Sequence, residues 1–151
     1  MSIGVDIVRF VFDDILTDEL KRYLLTQEGI KGINILVNHF ISEIDIKFEQ
    51  KITPKIIKGY IYLFQKNEFP VMLEFDKGTK DNYKQLKYVI DDMCCEYCYK
   101  GLIEDLFDND YIISVKSNFD FYKPAFNIEL FIRYSEDYNE KELIQYIKDR
   151  L

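Results

Sequence analysis

The 151-residue chain has no tryptophan, one histidine, three prolines, three cysteines and six scattered glycines, and each scarcity removes a class of function. The glycines, at positions 4, 29, 32, 59, 78 and 101, form no GxGxxG and no phosphate-cradling loop, and HExxH and GxSxG are absent as well. His39 alone has an ordinary pKa suited to proton transfer near neutrality. It falls in a turn beside Asn38 and Ser42, and no Cys–His or Ser–His pair can be assigned to it.

Three cysteines, clustered at Cys94, Cys95 and Cys98, are an odd number and make no disulfide framework, which suits a reducing cytoplasm. Zinc needs four ligands, and His39 stands far from the CxxC of Cys95 and Cys98. A thioredoxin-like role would place that CxxC at a helix N-terminus after a strand, whereas the pattern puts it deep inside a helix. Small buried side chains at Cys94 and Cys98, four apart on one helical face, explain the cluster more simply. No run approaches the length of a membrane span, and Asp6 and Arg9 interrupt the apolar N-terminal stretch, so it reads as neither signal nor transit peptide.

What the chain does have is 12 Tyr, 12 Phe, 48% hydrophobic residues and 31% charged ones, enough apolar side chain for one folded domain spanning 1–151. Its 27 acidic residues against 20 basic ones give a net charge of −7, which opposes nonspecific binding to nucleic acid. Residues 51–100 are mildly basic, with 9 basic against 7 acidic side chains, and both ends are acidic.

Along the chain, Val5, Ile7, Val8, Phe10, Val11 and Phe12 predict a strand, apolar on both faces near its end. A helix follows with Asp14 or Thr17 as its cap, a stripe at Leu20, Tyr23, Leu24 and Gln27, and Gly29 beyond its end. Ile33, Ile35 and Val37, then Ile44, Ile46 and Phe48, alternate with polar residues around a turn near His39, predicting an antiparallel hairpin. Thr53-Pro54 caps a helix bearing Ile56, Ile57, Tyr60, Ile61 and Phe64, and Val71, Leu73 and Phe75 make a short strand before Lys77-Gly78. This βαββαβ order is that of a split βαβ, or ferredoxin-like, first half.

From Asp81, Leu86, Val89, Ile90, Met93, Cys94 and Tyr97 follow helical spacing and predict one long helix, kinked or split at Gly101. A second hairpin runs from Tyr111, Ile113 and Val115 across Lys123-Pro124 to Phe126, Ile128, Leu130 and Ile132. Asn139 caps a last helix, with Glu142 as capping-box partner. The expectation is an α+β fold of about six strands and four helices, ordered βαββαβ-α-ββ-α, with no internal sequence repeat. The first hairpin lacks the basic-glycine-aromatic pattern of RNA-binding βαββαβ domains, so RNA is disfavoured as a partner.

Acid pairs at Asp13-Asp14, Asp91-Asp92, Glu104-Asp105 and Asp108-Asp110 could serve a metal-dependent enzyme, yet caps and turns account for Asp14, Asp81 and Asp108, and no EF-hand loop follows. No catalytic residue, metal or cofactor is expected. The remaining signal is tyrosine among acids after residue 107: Asp108, Asp110, Tyr111, Asp120, Tyr122, Tyr134, Glu136, Asp137 and Tyr138. Tyrosine offers large contact area with a hydrogen-bonding tip, and neighbouring acids complement Lys or Arg. These residues point to an inhibitor that occludes a basic protein partner, like an immunity protein or a phage-encoded antagonist of a nucleic-acid-binding enzyme. A small-molecule-sensing regulatory domain and a metal-dependent enzyme using the acidic clusters are the alternatives.

Overall fold

A computed structural model describes residues 4–65, 71–78, 82–92, 96–118 and 126–151. Among these are seven strands and four helices, an α+β protein as expected: β1 (Val5–Phe12), α1 (Asp18–Leu25), β2 (Ile30–Asn38), β3 (Ile41–Glu49), α2 (Pro54–Phe64), β4 (Met72–Asp76), β5 (Tyr83–Asp92), α3 (Glu96–Asp108), β6 (Ile112–Ser117), β7 (Phe126–Ser135) and α4 (Glu140–Lys148). The chain divides into two units, Met1–Val71 and Met72–Leu151.

In the first unit β3 pairs antiparallel with both β1 and β2. β1 and β2 are therefore mutually parallel with a strand between them, the split βαβ arrangement. Alternation sends Val8, Phe10, Ile44, Ile46 and Phe48 into the core, while Arg9, Glu43, Asp45 and Lys47 share the opposite face. Thr17 caps α1, its hydroxyl accepting from the Leu20 amide, and Leu20 and Leu24 are buried. Thr53 caps α2 in the same way with Pro54 at the first helical position, where its missing N–H costs nothing. Gly29, in the turn between α1 and β2, has φ +85°, a conformation glycine enters without steric penalty. Ser42, fully buried on β3, accepts from the Leu16 amide at 2.9 Å and donates to the Asp14 carbonyl at 2.6 Å. That hydroxyl pins the β1–α1 loop and is committed to backbone.

In the second unit β7 pairs with both β5 and β6, and β4 adds to β6, all antiparallel, giving the order β4-β6-β7-β5. β5 and β6 thus also flank an inserted strand. Both units follow the connection β-α-β-β-α, β1-α1-β2-β3-α2 and β5-α3-β6-β7-α4, a topological repeat without a repeated sequence. α3 covers one sheet face through Leu102, Ile103, Leu106 and Phe107, all buried. The Phe107 ring meets Phe75 edge-on at 5.1 Å, and the buried Tyr99 hydroxyl donates to the Leu73 carbonyl at 2.7 Å and bonds Ser117.

One expectation is overturned. Residues 83–92 are a strand, so no helix runs from Leu86 to Tyr97. Leu86, Val89 and Ile90 satisfy helical spacing, but Leu86, Tyr88 and Ile90 also alternate, and pairing of Tyr83–Asp92 along β7 selects the second reading. The strand count becomes seven, and Cys98 stands near the start of α3 rather than deep in a helix. Gly101 lies inside an uninterrupted α3. Met93, Cys94, Cys95 and the Lys123-Pro124 turn lie outside the described residues.

Candidate functional site

Six of the nine residues of the acidic tyrosine set, Asp108, Asp110, Tyr111, Glu136, Asp137 and Tyr138, lie at one end of the second unit, where the α3–β6 and β7–α4 turns meet. Asn109 follows α3, and its amide donates back to the Asp105 and Leu106 carbonyls. Its side chain accepts from the Tyr111 amide at 3.0 Å, so the Asn109–Tyr111 turn is braced by its own first residue. In the other turn the Asp137 amide donates to Ser135 Oγ at 3.3 Å and the Tyr138 amide to the Ser135 carbonyl at 3.0 Å. The Ser135 amide then donates to the Tyr111 carbonyl at 2.8 Å, which locks the two turns together.

Tyr111 and Tyr138, 27 positions apart, consequently stack with ring centroids 4.7 Å apart and planes 6° from parallel. Tyr111 is 47% exposed and Tyr138 half-buried, while Asp108, Asp110, Glu136 and Asp137 are exposed around them. Tyr134 separates from the set: it is 2% exposed on β7, and burial, reinforced by Glu140, raises its pKa. Its ring belongs to the core. Asp120 and Tyr122 lie outside the described residues.

Sequence reasoning missed three neighbours. The Tyr146 hydroxyl donates to the Asp105 carbonyl at 2.7 Å, and the Arg150 guanidinium lies 3.3 Å over the Tyr146 ring while pairing with Asp105 at 3.0 Å. Burial raises the Tyr146 pKa, opposed by Arg150 and aided by Asp105, Tyr138 and Asp108. Opposite, Lys77 Nζ donates to the Asn109 carbonyl at 3.0 Å and lies 5.0 Å from the Phe107 ring centre. A cation there complements the negative end of α3. The only advance signal for Tyr146 was its place one turn from Leu143 on α4.

Chemically, a stacked pair of rings rimmed by carboxylates accepts a flat cation: a guanidinium lies on the ring face while its N–H groups reach the acids. Among the described residues no group of three or more His, Cys, Asp or Glu side chains is arranged to hold a metal ion. His39 is exposed at the β2–β3 turn with φ 57°, and Cys98 is a half-buried thiol. In the first unit, Phe40 (61% exposed) and Leu36 (61%) stand out at the same hairpin tip. Among the described residues no helix is long and apolar enough to cross a membrane. No family model matches the chain, and neither a curated protein nor a solved structure matches it.

Proposed function

We propose that the protein is a binding inhibitor acting in the cytoplasm, of the immunity-protein or phage-antagonist kind, and that it occludes a basic, nucleic-acid-binding partner. The observation that carries this reading is the Tyr111–Tyr138 stack within the exposed carboxylates Asp108, Asp110, Glu136 and Asp137. The rings supply a rigid apolar anchor that loses little entropy on binding. In this reading the acids take the part of phosphates and steer a cationic surface toward the anchor. Net charge of −7 adds to that steering at long range.

Isothermal titration against a cognate basic effector tests the proposal. The joint substitution Asp110→Lys, Glu136→Lys and Asp137→Lys is expected to abolish tight binding, and Tyr111→Ala to weaken it by about 2 kcal/mol or more, as loss of an aromatic hot spot does. Tight binding that survives the charge reversal overturns this surface.

A further inference from the structure

A second surface of opposite sign lies on the open face of the second unit's sheet, the face that α3 leaves uncovered. The ladder places side chains there in two cross-strand rows. Lys87 on β5 and Lys116 on β6 both stand opposite Phe131 on β7, and in the next row Gln85 and Ser114 both stand opposite Arg133. Strands about 4.8 Å apart put the two lysine backbones roughly 10 Å apart with the phenyl ring between them. These six residues, with Leu86 and Ile132, line a groove of about 350 Å³, a volume within the range of small-molecule sites.

Its charge is unbalanced. Glu129 offsets Lys87 at 3.3 Å, but among the described residues neither Lys116 nor Arg133 has a carboxylate within ion-pair distance, and Arg133 instead lies 5.3 Å from the Tyr83 ring centre. The corresponding face of the first unit is neutralised: Arg9 pairs with Asp45 at 2.6 Å and Glu43 at 2.9 Å. A concave wall carrying uncompensated cations raises the local concentration of anions. Phe131, 46% exposed, offers a ring face between the cations, and Ser114, 2% exposed, lines the floor.

We infer that this groove binds a small organic phosphate bearing a planar ring, of about nucleoside monophosphate size, with Lys116 and Arg133 holding the phosphate and Phe131 stacking on the ring. Guanidinium and ammonium together suit phosphate oxygens, and stacking on Phe tolerates any flat ring. A long polyanion fits less well, because the net charge of −7 repels phosphates that extend beyond the groove. This site is independent of the acidic ridge.

The test is isothermal titration with adenosine 5′-monophosphate, inorganic phosphate and a single-stranded oligonucleotide, each alone. Saturable binding of the nucleotide is expected, weakened about tenfold or more by Lys116→Ala or Arg133→Ala. Phe131→Ala should weaken the nucleotide while leaving inorganic phosphate unchanged. Lys116→Gln and Arg133→Gln, which keep polar side chains, replace any alanine variant that loses its thermal transition. Glu136→Gln in the ridge should bind the nucleotide as the parent protein does. No saturable nucleotide binding, or binding intact after removal of both Lys116 and Arg133, overturns the inference. An oligonucleotide that binds far more tightly than the mononucleotide, with steep salt dependence, also overturns it in favour of a strand-binding groove.

Discussion

At the scale of single residues, the glycines separate conformational need from mere permission. Gly29 is needed: φ is +85°, and a Cβ there would come within 2.8 Å of the Ile52 side chain. Gly59 is only permitted, since it sits inside α2 and a Cβ would meet nothing within 4 Å. Replacing a helical glycine with alanine removes unfolded-state entropy at no steric cost, so Gly59→Ala should stabilise the protein by about 0.5–1 kcal/mol. Gly29→Ala should destabilise it by at least about 1–2 kcal/mol, the ordinary cost of a left-handed L-residue. Urea titration reads both as opposite shifts of the midpoint at constant slope, and a loss of stability in Gly59→Ala would contradict the open helix face.

At the scale of elements, what could be read in advance was whatever local chemistry decides. Thr53 and Asn139 cap the helices they were expected to cap, and of the two candidates for α1, Asp14 and Thr17, it is Thr17 that caps, because capping is settled within three residues of the cap. β5 was not legible. Its Lys84, Gln85, Leu86 and Lys87 are good helix formers, and pairing with β7, 34 to 52 positions away, decides the matter. The same reason hid the groove: Lys87, Lys116 and Arg133 come from three strands, and the last two lie in a stretch that is acidic by count. The ridge was half legible: its tyrosines among acids stood out by composition, but the Tyr111–Tyr138 stack depends on two turns meeting. His39 carries a testable consequence of this kind. It is the first of two residues joining β2 to β3, with φ 57°, a position where two-residue hairpins favour glycine. His39→Gly should therefore raise stability by up to about 1 kcal/mol, seen as a higher melting temperature. A fall would mean that the imidazole makes a contact worth more than the strain.

At the scale of the whole molecule, one connection scheme is used twice and finished differently. The first unit balances its open sheet face with ion pairs, whereas the second leaves one end acidic and one face cationic, and it also holds the tyrosines whose ionisation is displaced. Burial raises the Tyr99 pKa well above its ordinary value near 10, Ser117 opposing and Glu74 adding to the shift; Tyr134 and Tyr146 are raised as well, again chiefly by burial. A raised folded-state pKa means that stability is fully present below the unfolded pKa and is lost as pH climbs toward the folded one. Above about pH 10 the unfolded chain releases the Tyr99 proton while the folded chain keeps it, so stability should fall by about 1.4 kcal/mol per pH unit from this residue alone. Tyr99→Phe sharpens the test. It forfeits the hydroxyl's bonds to Leu73 and Ser117 and should be less stable at neutral pH by about 1–2 kcal/mol, yet its stability should decline less steeply between pH 10 and pH 11. Urea midpoints of the two proteins across that interval should converge, and parallel decline would show that Tyr99 ionises in the folded state as readily as in the unfolded one.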